Sequence, residues 1–242
     1  TKVDGKVLKS NNIIAAYRPE LTDRIIICTH WESRPWADAD PDSTKHHQPV
    51  MAANDGASGV AVMLEVARHL GELKPNIGID FICFDSEDYG APYWAESQAP
   101  QDGSDWCLGS QYWAAHPHVP GYKARFGILL DMVGGQGSKF YQEGVSKQYA
   151  SEIVNKVWRT AAQIGYGSFF PMKDGAMVTD DHVPVNEKAG IACIDIIACF
   201  PDCPQSSFGP TWHTVDDTMD HIDPNVMKAV GQTLIQVLYS EE

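Results

Sequence analysis

The chain has 242 residues, 43% of them hydrophobic and 21% charged, with a formal net charge of −14. That balance suits one globular domain, residues 1–242, with a substantial core. The acidic surface argues against a nucleic-acid partner, and no apolar run approaches the roughly 20 residues of a membrane span. The sequence opens on Thr1 without an initiator Met or a signal-like apolar stretch, so it reads as a mature or trimmed form.

Taken in order, Arg24–Thr29 is an apolar, β-branched run with the pattern of a buried strand. His30 to Asn54 is polar and rich in Pro, Asp and His, a loop long enough to suggest function. Val60, Met63, Leu64, Ala67 and Leu70 then recur at helical steps, and Gly71 and Pro75 are expected to end that helix. Strands are expected at Ile77–Phe84, Phe126–Leu130 and Ile191–Ile197, and helices at Lys147–Ile164 and Asp223–Leu238. Strands alternating with helices imply an α/β fold whose mixed or parallel sheet is covered on both faces. In such sheets ligands collect at the carboxyl ends of the strands.

Candidate chemistry falls there. His30 follows the first predicted strand, Asp85, Glu87 and Asp88 the second, and Asp131 the third. Asp55 closes the long loop, Asp180-Asp181-His182 precede a proline-punctuated turn, and His213 lies before the last helix. One carboxylate after a strand is ordinarily a cap, but five such positions supplying carboxylate or imidazole suit a zinc site with open coordination positions. The other candidates read as structural. His46 and His47 are solvated loop residues, His69 is a surface residue, and Lys6 and Lys9 are solvated charges. Ser110 lacks a nucleophile-elbow setting. Cys28 and Cys83 are small buried hydrophobes, while Cys199 and Cys203, four apart around a proline, are equally open to a bridge or a free pair. Of the seven tryptophans, Trp31, Trp106, Trp113 and Trp158 read as packing.

The runs Thr29-His30-Trp31-Glu32-Ser33, Ala53-Asn54-Asp55-Gly56-Ala57-Ser58-Gly59, Phe84-Asp85-Ser86-Glu87-Asp88, Asp180-Asp181-His182 and Trp212-His213-Thr214 occur in this order. Together they resemble the zinc aminopeptidase superfamily and, more closely, its glutaminyl cyclase branch, in particular bacterial members of the animal type. The resemblance implies a single-domain three-layer α/β/α fold with a twisted mixed central sheet of about six strands. It implies Asp55, Asp88 and His213 as ligands of one zinc, Glu87 as general acid/base, Asp131 and Asp180 as further active-site carboxylates, and Trp94 and Trp212 as substrate-pocket aromatics. Asp88 departs from the animal enzymes, where a second Glu is expected; being one methylene shorter, it should set the zinc nearer the strand end or bring the loop in toward it.

The implied reaction closes an amino-terminal glutamine of a peptide or protein into pyroglutamate and releases ammonia. Zinc would polarise the side-chain amide, and Glu87 would take a proton from the attacking amine and give one to the departing nitrogen. Glu87, Asp131 and Asp180, if close, should share a proton. A periplasmic or secreted monomer is the corresponding expectation. The alternative on the same fold is a two-zinc aminopeptidase, with His30 and Asp131 holding a second metal, Asp55 bridging, and Glu87 activating water. A non-catalytic binding module would be expected to have lost part of this set.

Overall fold

The computed structural model describes residues 9–241; Lys6 lies outside them. Its frame is a five-stranded sheet in the order β1-β3-β2-β4-β5. The strands are β1 (Ile13–Tyr17), β2 (Arg24–His30), β3 (Gly78–Phe84), β4 (Gly127–Asp131) and β5 (Cys193–Ile197). The last four run parallel, and β1 lies antiparallel on the outer edge of β3. The parallel strands are apolar almost throughout because helices cover both their faces. Four of the strands are those expected from the sequence. The fifth, β1, has only its inner face covered and alternates too weakly to be read. The sheet has five strands among the described residues where about six were expected.

Three helices, α1 (Ala57–Leu73), α3 (Gly144–Gln163) and α5 (Pro224–Tyr239), pack on one face of the sheet. Their Val66, Trp158 and Leu234 meet Ile25, Ile27, Ile128 and Ile196 in the larger core. On the opposite face α2 (Leu108–Ala115) and α4 (His182–Glu187) cover Ile26, Cys28, Phe84 and Leu129 with Trp113 and Val185. The result is the expected three-layer α/β/α arrangement. Both α2 and α4 are short and were not anticipated; α4 stands where a proline-punctuated turn was expected.

The stripe of α1 is rotated from the one read in the sequence. Leu64 is 65% exposed, and Val62, Met63, Val66 and Leu70 face the core. Nor does Gly71 end the helix: it lies on the solvent side with open space around it, so the chain passes through it. Lys74 stops the helix in a left-handed conformation (φ 46°, ψ 52°), because the following Pro75 disfavours α geometry there. At the other end α1 is drawn hard against the strand ends. A Cβ on Gly59 would stand 2.2 Å from Thr29 Oγ1 and 2.6 Å from the Leu130 carbonyl.

At the amino end of the parallel strands, the buried Arg24 forks onto Asp80 of β3 at 2.7 Å through both Nε and Nη2. Tyr122 donates a third hydrogen bond to the same carboxylate. This network lies at the sheet edge opposite the candidate chemistry and serves stability.

Glu143 caps α3. Its carboxylate accepts from the amides of Val145, Ser146 and Val178, from the Ser146 hydroxyl and from His182 Nε2. Burial alone would raise its pKa, but the His182 imidazole and the capped amides bring it from its ordinary 4.5 down to about 2. A depressed carboxyl contributes stability that is fully present above about pH 4.5 and is lost as the pH falls toward 2. Glu143→Gln is therefore expected to lower stability by roughly 1.5–3 kcal/mol near neutrality and to flatten its acid dependence. Urea midpoints of both proteins at about pH 6 and about pH 3 test this; parallel acid slopes would contradict it.

Candidate active site and metal centre

The carboxyl ends of β2, β3 and β4 bring the predicted residues together. His30 is the last residue of β2 and Asp131 the last of β4, while Glu87 and Asp88 stand in the turn after β3. Asp55 is presented just before α1, and its backbone N–H and that of Asn54 donate to the Asp217 carboxylate at 3.0 and 2.8 Å. The close fit of Gly56 against His30, where a Cβ would fall 2.6 Å from Nε2, sets how near Asp55 comes. His213, in a loop with φ +53°, completes the group.

Two sets of contacts meet on Asp55. His213 Nε2 lies 2.9 Å from Asp88 Oδ1 and 3.6 Å from Asp55 Oδ2. His30 Nε2 lies 3.0 Å from Asp55 Oδ1 and 3.1 Å from Asp131 Oδ1. Asp88 Oδ2 is buried without a hydrogen-bond partner. Acceptor-only carboxylates gathered on imidazole nitrogens, with a buried oxygen unsatisfied, are the donor set a divalent cation requires. One candidate metal-holding group is His30, Asp55 and Asp88, which His213 extends through Asp88.

The charges are strongly coupled. Burial, then the carboxylates of Asp88 and Asp131, push Asp55 well above the usual carboxylate range. Burial works against ionisation of Asp88 as well, but facing His213 holds it well below that range. Burial, Asp88 and Asp180 push Glu87 up; burial, Asp131 and Asp181 do the same to Asp180. One oxygen of Glu87 accepts from the Cys107 thiol at 3.4 Å. Glu87 and Asp180 bring carboxylate oxygens within 4.8 Å of each other and of that thiol. Asp180 also lies within 4.8 Å of Asp195 and His182, and neither oxygen of Asp195 has a donor. Carboxyls buried this closely retain protons between them.

These groups open onto a narrow cavity of about 60 Å³ lined by Asp55, Glu87, Asp88, Asp131, Asp180 and His213, with Trp106, Trp212, Phe208, Val178 and Ile197 as its apolar walls. The ring of Trp212 stacks on His213 at 3.7 Å, and Trp106 lies parallel to the same imidazole at 6.3 Å. Trp106 is thus a wall of the cavity rather than the packing residue expected. Trp94 is not among the lining residues. It stands in an aromatic cluster with Trp36, Tyr93, His46 and His47.

Other readings divide. Trp113 and Trp158 are fully buried, but Trp31 is 43% exposed. His46 is pinned by the Asp40 carbonyl at 2.7 Å and the Tyr93 hydroxyl at 3.0 Å, whereas His47 is exposed. Cys28 is buried and Cys83 half-buried; Cys199 and Cys203 are free thiols. Arg34, Asp38 and Asp217 went unremarked in the sequence, because single charges in polar loops carry no periodic signal; Glu32 entered only as part of a motif, and Asp195 lies within the buried strand β5. Glu32 accepts from the Asp88 amide at 2.7 Å and faces His30 Nδ1 at 3.5 Å.

Comparison with known proteins places this geometry. Residues 12–238 match peptidase family M28. The glutaminyl cyclase of Bacteroides thetaiotaomicron bound to N-acetylhistamine is 51% identical, with a TM-score of 0.95 over 100% of this chain and 81% of that one. The glutaminyl cyclase of Porphyromonas gingivalis is 49% identical, with a TM-score of 0.92 over 99% and 80%. A leucine aminopeptidase precursor from Bacteroides thetaiotaomicron is also 51% identical, with a TM-score of 0.94 over 100% and 80%. The chain spans 44% of the length of the curated relative aminopeptidase YwaD of Bacillus subtilis, at 29% identity over 241 residues.

Proposed function

The chain belongs to peptidase family M28, and from that membership we propose that it is a glutaminyl-peptide cyclotransferase, a single catalytic domain that closes amino-terminal glutamine into pyroglutamate and releases ammonia. The observation that carries this reading is the small tryptophan-walled cavity in which the proton-sharing Glu87 and Asp180 lie beside Asp55, Asp88 and His213. The half-identical glutaminyl cyclases support it.

In this reading Asp55, Asp88 and His213 hold one zinc. Bound there, zinc supplies Lewis acidity toward the side-chain amide carbonyl of the substrate. The rest belongs to the chain. Trp106 and Trp212 exclude water and keep the glutamine side chain curled, so that its own α-amine meets the amide carbon. As the N–C bond forms, Glu87 accepts the proton leaving that amine. It then delivers the proton to the departing amide nitrogen, which leaves as ammonia when the old C–N bond breaks. Asp180, sharing a proton with its neighbours, steadies the protonated form of Glu87 between the two transfers. Asp131 holds His30 in place.

The substrates are peptides and proteins with amino-terminal glutamine, and the enzyme acts as a monomer in the periplasm or outside the cell. Among the described residues no helix is long and apolar enough to cross a membrane.

One observation favours a second reading. Asp55 directs Oδ2 toward His213 and Oδ1 toward His30, whose Nε2 also meets Asp131, so this carboxylate stands between two groups that could each hold a metal. The two readings separate in one assay on a glutamine-initial and a leucine-initial peptide, run with zinc content per chain. Ammonia and a pyroglutamyl product from the first, an intact second peptide and one zinc are expected. Free leucine with two zincs would replace the cyclase by a two-zinc aminopeptidase.

A further inference from the structure

Arg34 is a fully buried cation in the long loop after β2. Its Nε and Nη2 fork onto Asp38, both at 2.6 Å. Its Nη1 donates to the carbonyl of Asp88 at 2.8 Å and to that of Gly90 at 3.3 Å. The guanidinium lies over the ring of Trp106, 4.8 Å from its centroid. Three of these partners, Asp88, Trp106 and Asp38, border the candidate metal centre. The Asp88 carbonyl belongs to a residue whose side chain faces His213, and Trp106 lies parallel to His213. Asp38 Oδ1 stands 3.8 Å from His213 Nδ1, behind the nitrogen that faces Asp88 and Asp55. The Ala39 amide donates to the His213 carbonyl at 3.1 Å, tying the same loop to the His213 backbone.

We infer that Arg34 is a positioning residue for the metal centre, joining the Asp88 turn and the His213 loop, 125 positions apart in sequence, through one guanidinium and the carboxylate of Asp38. The inference rests on the reading of Asp88 and His213 as metal-holding residues. A ligand imidazole is oriented by what meets its other nitrogen, and loss of such an outer partner typically weakens metal binding about 10- to 100-fold. Arg suits the task and Lys does not. A planar fork satisfies a carboxylate with two bonds, keeps donors for two carbonyls and lies flat on an indole, whereas an ammonium offers one point charge.

The test uses the whole chain with Arg34→Lys, Asp38→Asn and the double variant, and three readouts. Zinc affinity is measured by competition with a chelator, folding of the zinc-free proteins by circular dichroism and urea unfolding, and ligand geometry by the visible absorption of the cobalt-substituted forms. Each single variant is expected to fold, to bind zinc about 10- to 100-fold more weakly and to shift the cobalt bands. The double variant should lose little more than the weaker single one, because both changes break the same link. Unchanged zinc affinity and cobalt spectra in the single variants, whatever happens to urea stability, would reduce Arg34 to a fold-stabilising residue and overturn the inference. Additive losses in the double variant would overturn the link through Asp38. If zinc affinity falls as expected but the wild-type protein releases no ammonia from a glutaminyl peptide, the proposed reaction fails and the positioning role stands.

Discussion

Glu87→Gln is expected to leave zinc bound and to lower turnover of a glutaminyl peptide by roughly 10²–10⁴-fold, the contribution of a well-placed general acid/base. Gln keeps the shape of the side chain and can still meet the Cys107 thiol, which lies 3.4 Å from Glu87 Oε1. What it loses is the exchangeable proton. Burial and the carboxylates of Asp88 and Asp180 raise the Glu87 pKa well above the usual carboxylate range, and a carboxyl can both take up and release a proton. An amide can do neither. Steady-state kinetics with zinc content measured on the same preparation decide the matter. A fall in kcat with KM and zinc unchanged supports the proton-transfer role. Normal turnover with full zinc removes it, and loss of zinc in step with activity would mean that Glu87 helps hold the metal.

His213→Ala is expected to act at the earlier step. The imidazole is buried, stacked on Trp212 and parallel to Trp106, and is the nitrogen donor facing both Asp88 and Asp55. Without it Asp88 loses the imidazole that it faces, and His30 is left as the imidazole against Asp55. Zinc affinity should fall by more than the 10- to 100-fold typical of losing an outer partner, and turnover at limiting zinc should fall with it. Excess zinc should restore part of the activity if the remaining carboxylates still hold the ion weakly. A variant that keeps full zinc through chelator treatment would exclude His213 as a ligand.

The largest part of the site was legible because its residues stand where strand patterns end. Runs such as Arg24–Thr29 and Ile77–Phe84 declare buried strands by composition alone, and the rule that ligands gather at their carboxyl ends then points to His30, Glu87, Asp88 and Asp131. Asp55 and His213 were found through short motifs, since neither follows a strand directly. The edge strand Ile13–Tyr17 was not legible: a strand buried on one side only, with small residues at its centre, lacks both the continuous apolar run and a clean alternation. The misplaced face of α1 has a similar origin. Apolar residues outnumber the positions the core can accept, and only packing shows that Leu64 is left outside while Val62 and Val66 go in.

The sequence by itself determined the class of the fold, the edge of the sheet where chemistry gathers and the donor types found there, because these follow from local periodicity and residue chemistry. Only the tertiary structure decided which side chains meet. Trp106 rather than Trp94 walls the cavity, since the turn after β3 brings the backbone of Cys107 back to Glu87 at 3.0 Å. Asp195 joins the carboxylate cluster because β5 and α4 lie side by side. Arg34 and Asp38 come to stand behind Asp88 and His213 because the long loop folds back over the strand ends. Such contacts join residues many tens of positions apart, and a single buried charge in a polar loop carries no local pattern that could announce its partner.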